Sequence, residues 1–241
     1  MKPKTWIYIF ILMGFVVMIS GSCTKDEDPI TTVRPPMPLT VKDIDGNVYH
    51  TVKIGNQVWM LENLKTTRYN NGDIIPNITD STEWLNTHTG AWCSYLNSTA
   101  NNVTYGKLYN FKVVSSGNIA PVGWHVPTKN EWETLIIYLD NDISGKLKET
   151  GTIHWITNNG ASNQSGFTAL PGGYCGFESA TPLFKSIGLN GNWWSSSTWI
   201  NDNIFNYYIL GWTLTLDGGY LLDKQSTLNG YSIRCIFNWT Y

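Results

Sequence analysis

The segment GWHVPTKNEWETLIIYLD, residues 123–140, gives the clearest indication of a defined structural element in this chain. Pro127 disfavours helix immediately before it. Thr128, followed three residues later by Glu131, matches a capping box, in which each side chain accepts a hydrogen bond from the backbone amide of the other residue. The pattern predicts a helix that begins after Thr128 and buries one face. That face carries the apolar residues Trp132, Leu135, Ile136 and Leu139, which recur at helical spacing.

The same segment contains His125 and two glutamates, which raises the alternative of a catalytic or metal site. Carboxylates in the first turn favour the helix dipole, so Glu131 and Glu133 both have a structural explanation. His125 lies in an extended stretch before the helix, and no second His or Cys stands at metal-ligand spacing from it. We therefore interpret the segment as the start of a helix.

Most of the chain after Val41 shows strand and turn patterns instead. Hairpin turns are predicted at residues 45–46, 55–56 and 217–219, where Gly follows or precedes Asp or Asn. Strands are predicted in VYHTVKIGNQVWM (48–60), NNVTYGKLYNFKVV (101–114) and GYSIRCIFNW (230–239), and a short helix at residues 82–85. The predicted fold class is α+β, with an antiparallel sheet, long loops and one or two helices.

The N-terminus is expected to direct export. Lys2 and Lys4 precede an apolar run, Trp6–Ile19, that is too short for a comfortable transmembrane span. The Ser-Gly-Ser-Cys that follows resembles the bacterial lipobox, which makes residues 1–22 a lipoprotein signal peptide and Cys23 the lipidated first residue of the mature protein. An ordinary signal peptide and an uncleaved anchor are the alternatives.

Residues 23–40 are predicted to form a flexible tether, because an acidic stretch followed by Pro and Thr cannot bury a core. Its KDED sequence, residues 25–28, resembles the acidic export signal of surface lipoproteins in the Bacteroidetes, or else is the start of a solvated linker. The expected location is the outer membrane, with a lipid anchor and surface exposure. Residues 41–241 then form the folded domain.

Composition limits the classes of partner. Charged residues make up 14% of the chain, well below the usual quarter. The net charge of -2 argues against nucleic-acid binding. After Cys23, three cysteines remain, Cys93, Cys175 and Cys235, which allow at most one internal disulfide and leave three pairings open.

Eight motifs in order resemble the Fibrobacter succinogenes major paralogous domain, over about residues 41–238. They are DIDGNVYHTVKIGNQVWMLENLKTTRYNNGDII, AWCSYLN, YGKLYNFKVV, PVGWHVPTKNEWETL, GKLKETGTIHW, SGFTALPGGY, WWSSS and YSIRC. That family in turn is similar to C-type lectin-like and sulfatase-modifying folds, so a C-type lectin-like fold is implied. Ala120 and Cys175 stand where members usually have Cys and Arg, which leaves any family disulfide pattern in doubt. The resemblance implies no biochemical activity.

No catalytic motif of the common hydrolase, metalloprotease or phosphate-binding types is present, so we expect neither an enzyme nor a cofactor or metal. Trp193 and Trp194 are expected in the core. The following stretch is rich in Asn and aromatic residues, which suit sugar rings or a protein partner. The candidate ligand-binding residues are Trp199, Asn201, Asp202 and Asn203.

The expected function is therefore a surface-anchored, non-catalytic lectin-like binding or adhesion module for glycans. The alternative is a structural cell-envelope or fimbria-associated protein without a small ligand. The expected partners are an outer-membrane lipid anchor and a glycan or a protein, with no nucleic acid.

Overall fold

Two five-stranded sheets and one two-stranded sheet form the framework of the domain. The computed structural model describes residues 37–158, 160–176, 183–201, 206–215 and 218–239. Sheet A has the order β1-β2-β3-β12-β6, sheet B the order β11-β10-β9-β7-β8, and sheet C consists of β4 and β5. The strands are β1 (Thr40–Lys42), β2 (Val48–Ile54), β3 (Gln57–Met60), β4 (Trp92–Cys93), β5 (Leu108–Tyr109), β6 (Trp124–His125), β7 (Gly172–Gly176), β8 (Leu183–Ile187), β9 (Asn190–Asn201), β10 (Asn206–Thr215), β11 (Tyr220–Gln225) and β12 (Ile236–Phe237).

All strand pairings within these sheets are antiparallel except that of β7 with β9, which is parallel at Gly173 and Gly191. Together with the helices, this confirms the predicted α+β class with mainly antiparallel sheet. The three predicted hairpins are also confirmed. The first joins β1 to β2 through Gly46, the second joins β2 to β3 through Gly55, and the third joins β10 to β11, with Leu214 paired with Tyr220.

The described ranges contain more helices than the sequence predicted. There are five α-helices and one 3-10 helix at Tyr95–Asn97: α1 (Ser81–Asn86), α2 (Thr99–Tyr105), α3 (Phe111–Ser115), α4 (Lys129–Leu139) and α5 (Ile143–Leu147). Only α4 is longer than two turns. The side chains of Asp80, Asn110 and Asp142 cap α1, α3 and α5, and such single-turn helices leave little periodicity for a sequence pattern to detect. None of these helices combines the length and apolar character needed to cross a bilayer.

The strand predicted at residues 101–114 is wrong. This stretch is helical as α2, extended only in β5, and helical again as α3. Gly106, at φ 76°, ends α2, and a Cβ there would lie 2.8 Å from the carbonyl oxygen of Leu64. The Asn110 side chain then accepts the Val113 amide and starts α3. Tyr109 and Phe111, which suggested a strand, are instead buried from β5 and α3, and Tyr105 on α2 is half-buried. Tertiary packing overrides the β-propensity of these residues.

The final predicted strand is shorter than expected. Only β12 belongs to sheet A, while Tyr231 and Ser232 form isolated bridges to Tyr109 and Trp193. This last segment therefore passes between β5 and β9 before it joins sheet A. It brings Arg234 and Cys235, both almost completely buried, into the centre of the domain.

The adjacent Trp193 and Trp194 supply two different parts of the core from opposite faces of β9. Trp193 packs with Trp132 of α4 and Trp59 of β3, whereas Trp194 packs with Tyr109 and Tyr231. Trp193 and Trp194 are 1% and 0% exposed, which confirms the core prediction for both.

Candidate functional site

The start of α4 is built as the sequence predicted. The Thr128 hydroxyl accepts the Glu131 amide at 3.3 Å, and Glu131 Oε2 accepts the Thr128 amide at 2.8 Å, which together form the capping box. Trp132, Leu135 and Leu139 are buried on one face of the helix. Both predictions for this helix, its cap and its apolar face, are confirmed.

The serines that follow Trp194 hold the start of α4 against β9. The amide of Ser196 donates to the carbonyl of Pro127 at 2.8 Å, and the Ser197 hydroxyl accepts the amide of Lys129 at 2.9 Å. Because the first amides of a helix have no partner within it, the Ser197 contact satisfies one of them. The WWSSS and VPTKNEWE motifs are thus neighbouring parts of one structure.

His125 is tied to this cap by a second set of contacts that the sequence did not predict. Its Nε2 lies 2.7 Å from Glu131 Oε1, and its Nδ1 is hydrogen-bonded to Asn238 Oδ1 beyond the end of β12. Both ring nitrogens therefore face oxygen acceptors, an arrangement that suits the doubly protonated imidazolium. Asn238 lies far along the chain from His125, so no local pattern could have indicated this contact.

The electrostatics of this pair favour a stable ion pair. Burial alone would lower the pKa of His125, but the hydrogen bond and charge of Glu131, with the contact to Asn238, raise it. Burial alone would raise the pKa of Glu131, but the contact with His125 and the two hydrogen bonds from Thr128 lower it. A protonated imidazole and a carboxylate that already accepts several hydrogen bonds are both poor general bases.

A cleft of about 370 Å³ opens beside this ion pair. Aromatic rings form one wall: Trp239 packs edge-on to Phe237 at 5.3 Å, and Phe237 packs edge-on to Trp124 at the same distance. Asn56 and Asn238 present exposed amides. Its lining residues are Asn56, Gln57, His125, Glu131, Ile236, Phe237, Asn238 and Trp239.

A second surface feature is a more apolar groove of about 390 Å³ between α4 and the β10–β11 hairpin. Tyr220 stacks on the buried Trp212 at 5.5 Å, and Trp212 stacks on Trp132 at 5.4 Å. Ile137 is 78% exposed and Leu221 is 53% exposed. We call this surface, lined also by Glu133, Ile136 and Leu222, the α4 groove.

Two of the four predicted ligand-binding residues lie on the β9–β10 hairpin. Trp199 and Asn201 belong to β9, where they pair with Tyr208 and Asn206 of β10. Asp202 and Asn203 fall outside the described residues, as does the predicted lipidation site Cys23. The assignment of this group as ligand-binding stays a prediction.

The remaining chemistry of the described residues is limited. No group of three His, Cys, Asp or Glu side chains in these ranges is arranged to hold a metal ion. Cys93, Cys175 and Cys235 are all buried free thiols, so none of the three possible disulfide pairings is formed. Burial raises the pKa of Cys235, which leaves a neutral, unreactive thiol.

Comparison with known protein families decides the classification. The model of the Fibrobacter succinogenes major domain matches residues 52–236. This chain belongs to that family. The match includes the α4 start and the whole of β9, and it ends at the first residue of β12. No curated protein and no solved structure matches the chain.

Proposed function

We propose that this protein is a surface-exposed lipoprotein of the outer membrane whose Fibrobacter succinogenes major domain binds glycans without catalysis. Residues 23–40 act as the tether, with the lipid on Cys23, and the domain has a C-type lectin-like arrangement. The mixed fold, with a single long helix against antiparallel sheets and a long β9–β10 hairpin, is consistent with that arrangement.

The observation that carries the proposal is the cleft beside His125. Sugars are bound by aromatic faces together with a few polar groups that fix orientation, and the cleft volume falls in the range of small-ligand sites. Trp239 and Phe237 supply the aromatic wall, and Asn56 and Asn238 supply amide donors and acceptors. The amide nitrogen of Asn238 has no hydrogen-bond partner among the described residues, so it is available to a ligand hydroxyl.

We propose that the domain is not catalytic because His125 and Glu131 are held in an ion pair. A glycoside hydrolase needs two carboxyl groups that flank the scissile bond. Glu131 is the one carboxylate that lines the cleft within the described residues, and its pKa is lowered by its contacts with His125 and Thr128. Its role is to hold the start of α4 and the ring of His125.

A glycan array probed with the purified protein, with and without calcium, tests the proposal. Trp239→Ala should weaken binding by roughly two- to tenfold or more. Tyr220→Ala removes an exposed aromatic residue of the α4 groove and is the matched control that should bind as wild type. Trp199→Ala reports separately on the β9–β10 hairpin. Binding lost only in Trp199→Ala would move the site to the hairpin, and silence of the wild-type protein on the array would refute glycan binding.

The exposed α4 groove favours one second candidate, a structural envelope protein that docks another protein. Solvent-exposed Ile137, Leu221 and Tyr220 form a continuous apolar surface of the kind found at protein interfaces. Under this alternative, Tyr220→Ala would abolish capture of a protein partner by pull-down, whereas Trp239→Ala would leave it unchanged.

A further inference from the structure

Arg234 is a buried cation near the centre of the domain. Its side chain is almost completely enclosed, at 1% exposure. Its Nε donates to Asn63 Oδ1 at 3.1 Å, and its Nη1 donates to the carbonyl of Phe167 at 2.5 Å. Its Cζ lies over the ring of Phe167, 4.2 Å from the ring centroid. Asn63 Oδ1 also accepts the indole N–H of Trp193, so the amide that holds Arg234 is itself fixed.

Among the described residues, the hydrogen-bond partners of this cation are all neutral. Within the described ranges no carboxylate lies within ion-pair distance of Arg234, and its second terminal nitrogen, Nη2, has no hydrogen-bond partner. Burying an unpaired charge is costly, and a buried cation is normally matched by an anion. Burial lowers the pKa of Arg234 to about 9, and the charge of Glu62 opposes that effect. The guanidinium is therefore charged at neutral pH, and no residue in the described part of the chain provides its counter-ion.

Arg234 lines a cavity of about 210 Å³. This volume is below the roughly 300 Å³ at which typical small-molecule pockets begin, so only a small ligand fits. The cavity offers hydroxyl and amide groups and two leucine side chains. Its lining residues are Leu61, Glu62, Asn63, Thr104, Glu149, Thr168, Leu170 and Arg234.

Two carboxylates, those of Glu62 and Glu149, line the same cavity and are more exposed than Arg234. Glu62 is paired with His50 at 2.8 Å, and Glu149 with His154 at 2.7 Å. A simple anion that reached Arg234 would meet the charge of both glutamates, and a simple cation would meet Arg234. The charges of Arg234 and of the two glutamates together favour a ligand that has an anionic end and a cationic end a few ångströms apart.

We propose that this cavity binds a free α-amino acid with a small side chain. The carboxylate pairs with the Arg234 guanidinium, the ammonium group lies toward Glu62 and Glu149, and Leu61 and Leu170 contact the side chain. The site is separate from the glycan cleft, with which it shares no lining residue. This proposal rests on a different site from the proposed function, so a failure of amino-acid binding can be told apart from a failure of glycan binding.

Isothermal titration of the purified protein with glycine, L-alanine and L-serine tests the proposal, with acetate and methylammonium as single-charge probes. Saturable binding of the amino acids, and at least tenfold weaker binding of both single-charge probes, is expected, because each probe lacks one charge-assisted contact. Equal binding of acetate and L-alanine would reduce the site to an anion site and overturn the proposal. No binding of any amino acid at millimolar concentration would also overturn it.

Variants at the cavity mouth avoid the buried Arg234, whose replacement could prevent folding. Thr104 is exposed on α2 and lines the cavity, so Thr104→Trp should abolish amino-acid binding by blocking access. Val103→Trp, at an exposed position of the same helix that does not line the cavity, is the matched control and should bind as wild type. Glu62→Gln should weaken amino-acid binding about tenfold while acetate binding is unchanged or tighter. Unaltered binding in Thr104→Trp would contradict the assignment.

Discussion

Trp132→Ala is expected to destabilise the domain far more than Thr128→Ala, although both residues belong to α4. Trp132 is fully buried, and its ring contacts four other aromatic residues, with centroid distances of 4.7 Å to Trp59, 5.4 Å to Trp212, 6.1 Å to Phe167 and 6.4 Å to Trp193. Truncation of such a side chain leaves a cavity that a rigid aromatic surround cannot fill. The expected loss is about 3–5 kcal/mol.

Thr128→Ala removes a smaller interaction. The variant loses the hydroxyl that accepts the Glu131 amide, but the Thr128 backbone amide still donates to Glu131 Oε2 at 2.8 Å. The helix therefore keeps half of its capping box, and the expected loss is about 1 kcal/mol, the usual cost of an N-cap side chain.

Urea unfolding followed by far-ultraviolet circular dichroism measures both losses, because removal of a tryptophan would distort a fluorescence signal. The midpoint should shift without a change in slope, which shows that stability alone has changed. Trp132→Phe is the control: the indole Nε1 has no hydrogen-bond partner among the described residues, so its removal costs only packing. The variant should fall between wild type and Trp132→Ala. A larger loss for Thr128→Ala than for Trp132→Ala would refute this account of the helix.

Three further predictions concern charge, export and binding. The contact with Glu131 raises the pKa of His125 in the folded state. The ion pair therefore stabilises the fold fully below the unfolded pKa of 6.5, and this stabilisation is lost as the pH rises through the folded pKa. In Glu131→Gln, the free energy of unfolding should no longer show this decrease between acid and alkaline pH. A pH profile identical to that of wild type would contradict the prediction. Cys23→Ala should leave an unlipidated precursor that no longer partitions into detergent; normal maturation would disprove lipidation. Trp199→Ala should weaken ligand binding with no change in melting temperature if the β9–β10 hairpin contributes to the site, and a lower melting temperature would make Trp199 a core residue.

The sequence predicted those parts of the fold whose determinants lie close together along the chain. Thr128 and Glu131 are three residues apart and define a helix start by themselves, and the turn at Gly55 likewise defines a hairpin. Short elements with competing preferences were predicted poorly. In residues 101–114 the aromatic residues favour a strand, but Gly106 and Asn110 end one helix and begin another.

The candidate sites could not be predicted in the same way, because they depend on pairs that are distant in sequence. Arg234 contacts Asn63 across 171 residues, and His125 contacts Asn238 across 113. Neither pair has a characteristic spacing. The one available signal was an Arg among the apolar residues of the strand-like segment YSIRC, since arginine is rarely buried without a partner.

The contacts of His125 also determine which variants can test binding. Glu131 joins the cap of α4 to His125, and His125 joins that cap to Asn238 at the end of sheet A, so the floor of the cleft is part of the structural framework. A Glu131 variant that lost glycan binding would not separate a lost contact from a displaced helix. Trp239 lies on the wall of the cleft and is only partly buried, so Trp239→Ala removes ligand contact area while the capping box stays intact. An aromatic contact of this kind contributes about 0.5–1.5 kcal/mol beyond its buried area, which corresponds to a change in Kd of roughly two- to tenfold at least. Lost affinity in a Trp239→Ala protein that still unfolds at the wild-type midpoint would therefore assign binding to the cleft rather than to the stability of α4.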